Sequence, residues 1–535
     1  MRNIVVGIDV GTTKIAVFIA EKKENGEIHI LGMGRTESQG VERGIVKNIQ
    51  DTATSIKIAV KKAEEMSGEK VEDVYVGIAG HHIRTQQHRG NIIIQEQDHI
   101  ITREDVERLK NEQYAILMDN GEQIIDVIPQ NYIVDNDAPT MNPVGRIGKC
   151  LAGDFNLITG NSVNIQNIYR SVQLAGYKVK KLVLEPIASA ESVVNEEEKD
   201  AGVCLVDIGG GTTDVAIFYG GIIRHTAVIP LAGNVITDDI KQGCSIIRTQ
   251  AEALKQNFGA CLDTPTSANE IISIPGFRGR EPKEISVQQL TKIINARVKL
   301  ILEQVLYELV NTGYNKKLIA GVVLTGGGAK IKDIDRFTEY ILGLDARVGT
   351  PQEHLSGTIT EEMKHPMHAT GIGLVLKAIQ DIEEEKKLHP IKEEIYIALY
   401  LILFSIYIIS SYDILLLIFK RIKIKKWLKI FIEIIYFIIQ TIITYYFSYN
   451  LAYGYIPIYF ILFVILGMVF YLKIIRKPFI KIVDKIITFL SKILNKLFKY
   501  IVHLIYSKTL FIFIKNIFKK IKFKKNEDKE NISLE

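Results

Sequence analysis

Hydrophobic positions divide this chain into two unlike stretches. Up to about residue 390, apolar runs and polar segments alternate at the two periods that mark strands and amphipathic helices. From about Ile395 onward Ile, Leu, Phe, Tyr and Lys dominate and acids nearly vanish. In the first stretch IVVGIDVGTTKIAVFIA, at 4–20, reads as a strand, a tight turn and a return strand. VCLVDIGGGTTDVAIF, at 203–218, repeats that pattern, so two related halves are expected. Between them Ile49–Met66 and Asn164–Ala175 read as helices, and Val74–Ala79 and Lys181–Leu184 as strands. Glu185-Pro186 opens a helix over Ile187–Asn195, proline being accepted in a first turn. Residues 83–163 differ in character: strand-like runs (Asn91–Ile94, Gln123–Ile128, Tyr132–Val134) surround a helix near Arg103–Leu117, an inserted α+β module. Further on, Gly233–Lys255 predicts two helical segments, 265–285 a polar loop and Thr291–Thr312 a long helix. Val322–Ala329 is a third Gly-rich turn after a strand, ahead of a helix near Lys332–Leu342. His368–Ala378 is an apolar helix whose small residues suit close packing on a sheet.

The length of 535 residues allows several domains, and the net charge of +5 comes from the tail. A basic excess interleaved with large apolar residues fits anionic lipid; no nucleic-acid partner is expected. The four cysteines, Cys150, Cys204, Cys244 and Cys261, show no ligand spacing and suit a reducing cytosol without disulfides or zinc. His81, His82 and His88 lack a third ligand at a fitting spacing and read as exposed loop histidines. A basic n-region followed by an apolar h-region is not found at the N-terminus, so the first domain is not expected to be secreted.

The two turns carry the chemistry. Glycines allow backbone N–H groups to close on an anion, threonine hydroxyls add neutral donors, and an aspartate at the strand end can hold a hydrated Mg²⁺ beside phosphates. A single copy reads equally well as a Gly-rich hairpin. Here there are two copies, at Asp9 and Asp207, with a Glu-Pro helix start between them and a late Gly-Gly-Gly turn. That set resembles the actin–Hsp70–sugar kinase superfamily. GIAGHHI, LVLEPIASAESVV, GIIRHTAVIPLAGNVITDDIKQGC, AEALK, IPGFRGREPKEIS and VLTGGGA, together with the inserted module, are more closely similar to the bacterial FtsA family over about 1–380.

The resemblance implies an α/β, two-lobed actin-like ATPase fold with an inserted small α+β subdomain, followed by an all-helical membrane tail. Lobe 1 begins at 1–82, the insert occupies 83–163, and 164–380 holds the rest of both lobes, with an upper subdomain at about 235–318. A linker at 381–394, membrane-spanning residues 395–472 and Lys-rich amphipathic helices at 473–535 complete the expected order. ATP and Mg²⁺ are the implied cofactors. Asp9 and Asp207 would hold Mg²⁺ through water; Gly11, Thr12, Thr13, Lys14, Gly209, Gly210, Gly211, Thr212 and Thr213 would cradle the phosphates. Glu185 would orient the attacking water. Gly233, Glu252, Lys255, Gly326, Gly327 and Gly328 would contact ribose and adenine. The implied partners are the C-terminal peptide of FtsZ, further copies of the chain in a filament, and anionic inner-membrane lipid, with the ATPase domain cytosolic at the division site. Arg278, Gly279, Arg280 and Glu281 read either as a solvated loop or as part of the FtsZ-docking surface. Rival readings are a pilus-assembly or sporulation scaffold on the same fold, and a sugar-kinase-like phosphotransferase for which the sequence offers no acceptor site. Turnover, if any, is expected to be slow.

The tail departs from the family, whose members end in one short amphipathic helix. Ile395–Phe419, Leu428–Phe447 and Tyr455–Leu472 are apolar runs close to the about 20 residues that cross a bilayer, so two or three spans are expected. Residues 473–524 alternate lysines with apolar residues at helical spacing, as in helices lying on a membrane surface. About 395–515 is similar to the spore-cortex membrane protein family YabQ. A cytosolic ATP site followed by one span would place Lys420, Arg421, Lys423, Lys425, Lys426 and Lys429 outside, against the positive-inside rule. Either the first run bends back near Ser410–Asp413, or the tail is an originally independent protein joined to the first.

Overall fold

The computed structural model describes residues 3–23, 26–96, 98–118, 121–263, 270–276, 281–351, 355, 361–388, 390–422, 424–452, 458–506 and 512–517. Arg278, Gly279, Arg280 and Lys423 lie outside the described residues. The chain divides into two units, Arg2–Leu388 and the residues from His389 onward.

In the first unit β1 (Asn3–Val10), β2 (Lys14–Lys22) and β3 (Ile28–Glu37) form an antiparallel meander, followed by the small ladder of β4 (Val41–Glu42) and β5 (Ile45–Val46). Helix α1 (Ile49–Ser67) starts on Asn48, whose side chain accepts from the Gln50 and Asp51 amides, and stops at left-handed Gly68 (φ 74°). Its stripe Ile56, Ala59, Val60 and Ala63 is fully buried against the meander. Gly34 of β3 makes that contact possible, because a Cβ there would lie 1.9 Å from the Ala59 carbonyl oxygen. β6 (Asp73–Ile78) then joins β1 in parallel.

The insert follows as β7 (Arg84–Ile93), α2 (Arg103–Tyr114), β8 (Glu122–Val134) and β9 (Cys150–Asn161), with sheet order β7-β9-β8 and its own core around Leu109, Leu151 and Phe155. Two expected runs, Gln123–Ile128 and Tyr132–Val134, are one strand. Pro129 sits at a bulge in it, which an edge strand tolerates. β9 had no counterpart in the sequence reading. His88 lies within β7 rather than in a loop, and His82 is half-buried with both ring nitrogens unpartnered; burial depresses it to about 4. No group of metal-ligating side chains occurs among the described residues.

The chain returns through α3 (Ser162–Ala175), β10 (Lys178–Leu184), α4 (Glu185–Val193) and α5 (Glu196–Ala201) to the second sheet. β11 (Val203–Ile208), β12 (Thr213–Tyr219) and β13 (Ile222–Ile229) form another meander, followed by α6 (Gly233–Cys244) and α7 (Arg248–Phe258). Within the expected loop at 265–285, β14 (Ile271–Ile274) and β15 (Lys283–Ser286) pair as a hairpin leading into α8 (Val287–Thr312). β16 (Val322–Thr325), α9 (Ile334–Leu342) and β17 (Ala346–Val348) complete the lobe, and α10 (Ala369–Leu388) packs back on β1 and β2. The sheets have orders β10-β6-β1-β2-β3 and β17-β16-β11-β12-β13, the same plan twice. Gly373 brings α10 against α4: a Cβ there would sit 1.6 Å from the Ala188 carbonyl oxygen.

In the second unit α11 (Pro390–Arg421), α12 (Lys426–Ala452), α13 (Ile458–Phe470) and α14 (Arg476–Tyr506) follow, α13 passing into α14 through one π-turn at Tyr471–Ile475. Two of them, over Ile397–Arg421 and Lys426–Tyr446, are long and apolar enough to cross a bilayer. The third expected run is helical from Ile458, its start lying outside the described residues. Helix α10 extends to Leu388 and α11 begins at Pro390, so the stretch expected as a linker is helical on both sides of His389. No bend occurs at Ser410–Asp413. The helix runs through, with the Ser410 and Ser411 hydroxyls donating to the Tyr407 and Ile408 carbonyls.

The contacts fix helix directions. Ser405 meets Gly467, Asp413 accepts from Tyr471 and Arg476, and Arg421 donates to Asp484 and Thr488; positions rise together, so α11 and α13–α14 are parallel. Lys429 stands over Phe419 and Tyr436 meets Ser411, so α12 runs antiparallel to α11. Lys420, Arg421, Lys425, Lys426 and Lys429 and the Lys-rich α14 therefore lie toward one end of the bundle. In oriented vesicles, single cysteines at Lys425 and Lys485 are expected to react from the same side with an impermeant maleimide. Labelling from opposite sides would refute the parallel arrangement.

Candidate functional site

Each meander places its first turn at the carboxyl end of its first strand. Asp9 and Asp207 occupy equivalent positions, at the end of β1 and of β11. Gly209 donates to the Thr212 carbonyl at 2.9 Å and closes the second turn. The turns meet directly: a Cβ on Gly210 would lie 2.0 Å from Thr13 Oγ1, and one on Gly211 2.5 Å from Thr12 Oγ1 and 3.0 Å from Arg43 Cα. Only glycine lets the two lobes approach this closely.

A cleft of about 800 Å³ opens between the lobes. The expected residues Asp9, Gly11, Thr12, Thr13, Lys14 and Glu185 line it from lobe 1. Asp207, Gly209, Gly210, Gly211, Thr212, Gly233, Glu252, Lys255, Gly326, Gly327 and Gly328 line it from lobe 2. Thr213 does not. Strand alternation turns it away from the cleft, it is fully buried, and its hydroxyl donates to the Leu231 carbonyl at 2.7 Å. The next residue is the one sequence reasoning missed: Asp214 pairs in register with Asp207 and lines the cleft. Strand periodicity counted from Thr212 was the signal that could have found it.

Four carboxylates thus face one space: Asp9, Glu185, Asp207 and Asp214. Lys14 is the one cation paired with any of them among the described residues, 2.9 Å from Asp9 Oδ2. Burial, and then the Asp9, Asp214 and Asp207 charges, push Glu185 well above the ordinary carboxylate range. Burial and the neighbouring Asp207 push Asp214 up to about 8, against the Thr212 hydroxyl that donates to it. Asp207 is raised by burial, partly offset by the Ser189 hydroxyl 2.7 Å away. Asp214 Oδ1 is buried without a hydrogen-bond partner. A space this acidic, with an orphaned carboxylate oxygen, fits a divalent cation. Among the described residues no three ligating side chains are grouped to bind one directly, and a cation held here would keep most of its waters.

On the lobe 2 rim, Lys255 Nζ donates to the Gly233 carbonyl at 2.9 Å, to Thr237 Oγ1 at 2.8 Å and to Glu252 at 2.8 Å. Burial is the largest influence on Glu252 and acts to raise it, but Lys255, Thr237 and Gln256 together hold it below its usual range. Gly326 (φ 84°) is needed where it stands, since a Cβ there would meet Asp207 Oδ1 at 2.2 Å. Gly211→Val is expected to wedge the turns apart: hydrogen exchange should quicken at 9–14 and 208–212 while the sheet interiors keep their protection. Unchanged exchange in both turns would contradict this contact.

Comparison with known proteins agrees with this architecture. The family described as "Cell division protein FtsA" matches residues 204–373, "SHS2 domain inserted in FTSA" matches 80–159, and "Spore cortex protein YabQ" matches 398–476. The cell division protein FtsA of Pseudomonas aeruginosa is 35% identical over 378 residues, covering 71% of this chain and 90% of that protein. FtsA of Borreliella burgdorferi is 35% identical over 393 residues, covering 73% and 94%. Among solved structures, the PilM–PilN type IV pilus biogenesis complex is similar at a TM-score of 0.52 and 14% identity, covering 70% of this chain and 98% of that one, a likeness of fold. With the two-turn cleft, the duplicated sheet and the inserted module, the chain belongs to the FtsA family of actin-like cell-division proteins, and over 398–476 it is similar to the YabQ family.

Proposed function

We propose that the cleft binds ATP with Mg²⁺ and that the nucleotide-bound chain polymerises at the inner membrane and tethers FtsZ filaments there through their C-terminal peptide. The observation that carries the nucleotide reading is the convergence of four carboxylates and one lysine beneath two glycine turns. Backbone amides of the turns at 11–13 and 209–212, with Lys14, would hold the phosphates; Asp9 and Asp207 would bind the cation through water. When bound, Mg²⁺ would neutralise charge on the transferred phosphoryl group. Glu185, at the N-terminus of α4 and facing the other acids, is suited to orient a water at the far phosphate. Gly326, Gly327 and Gly328 with the Glu252–Lys255 pair form the rim where ribose and adenine would rest.

The division role is supported by family membership, and membrane attachment by the two long apolar helices and the YabQ-like region. Anionic lipid is the partner suited to the Lys-rich end of the bundle. That same region supports a second reading, an actin-like scaffold of a sporulation system. Asp207→Ala is expected to weaken Mg²⁺-ATP binding by at least tenfold in calorimetry, since it removes a cation-holding carboxylate; an unchanged affinity would refute the site. Capture of the chain by immobilised FtsZ C-terminal peptide is the expected result for division, and its failure would favour the sporulation scaffold.

A further inference from the structure

We propose that Ser189 and Thr370 are positioning residues for Asp207, fixing one carboxylate oxygen so that the other is presented to the cation. The proposal rests on the reading of the cleft as a Mg²⁺–nucleotide site. Ser189 Oγ donates to Asp207 Oδ2 at 2.7 Å, Thr370 Oγ1 lies 3.3 Å from the same oxygen, and the two hydroxyls are 2.9 Å apart. All three side chains are buried, Ser189 completely. Oδ2 is thus engaged from behind by two neutral hydroxyls. The remaining oxygen, Oδ1, lies over Gly326, where the absent Cβ leaves it room.

The source of these hydroxyls gives the arrangement its meaning. Asp207 ends a strand of lobe 2, whereas Ser189 stands on α4, one turn beyond Glu185, and Thr370 opens α10. Those two helices are locked backbone to backbone at Gly373 and Ala188, and α10 packs on β1 at Gly7. Helix α10 is seated on β1 and β2, whereas α4 spans the lobes, its Ala190 and Val193 and the adjoining Val194 packing with Val203, Leu205 and Ala216 of the second sheet. Asp9 differs: its partner, Lys14, comes from its own turn.

The experiment titrates a fluorescent ATP analogue into the full-length chain in detergent, with Mg²⁺ and with EDTA. Ser189→Ala and Thr370→Val are each expected to lose about tenfold in affinity with Mg²⁺ and to keep the wild-type affinity in EDTA, the size expected for a residue that orients a cation-holding group. Thr370→Ser retains the hydroxyl and should behave as wild type. Affinities unchanged in both conditions, or reduced equally in both as for a general loosening of the fold, would overturn the positioning role. A wild-type chain that binds the analogue equally well with and without Mg²⁺, or fails to bind it, would overturn the reading of the cleft and the proposal with it.

Discussion

Like charges brought close together are costly to bury, and in this molecule Asp9, Glu185, Asp207 and Asp214 repel one another in one cleft, Lys14 being the one cation paired with any of these four among the described residues. Burial and mutual repulsion raise Glu185, Asp207 and Asp214 together. The fold tolerates this because each acid sits on a rigid support. Asp9 and Asp207 end core strands, Asp214 begins one, and Glu185 opens a helix through Pro186. Under the proposed function the acidity serves a cation that accompanies phosphates. A divalent cation would offset the repulsion among the carboxylates and between them and phosphate, and the glycine turns carry amides suited to phosphate oxygens.

The duplicated sheet explains why the acids face each other. Each lobe repeats one plan, a three-stranded meander extended by two parallel strands, and each presents the first turn of its meander to the other. Contacts at the turns are close, Gly210 lying against the Thr13 side chain and Gly211 against the Thr12 side chain and Arg43 Cα. The helices between the lobes, α4 and α10, pack equally closely through Gly373. Small residues at both places make the relative position of the lobes a matter of backbone contact, which has little freedom to drift by fractions of an ångström.

The tail follows a different logic. Its helices are apolar on most faces, so direction and register come from a few polar contacts: Arg476 on both oxygens of Asp413, Tyr471 on the same carboxylate, and Arg421 on Asp484. In apolar surroundings such a paired charge is specific because every other register leaves it unpaired. The α11 helix also runs straight past Ser410 and Ser411, whose hydroxyls bond back to their own helix and need no bend.

Much of this was legible in the sequence because it is local. The strand–turn–strand copies at Asp9 and Asp207 carry their pattern in a few consecutive residues, and the Glu185-Pro186 helix start and the Gly326–Gly328 turn need no distant partner to be recognised. The helices α1, α3 and α8 were readable from apolar spacing alone. What stayed hidden depends on partners far along the chain. β9 is interrupted by Gly153, Asp154 and Asn156 and becomes a strand because β7 and β8 pair with it on both sides. Thr213 and Asp214 are adjacent in sequence, yet only the register of β12 against β11 decides which faces the cleft. Ser189 reads as an ordinary small helical residue until α10 and β11 bring Thr370 and Asp207 to it. Sequence by itself determined the chemical groups and the turns that carry them, since those follow from local backbone preference. Tertiary structure alone decided which carboxylates share the cleft, which hydroxyls restrain them and how the tail helices run, since each is set by contact between segments that no local preference joins.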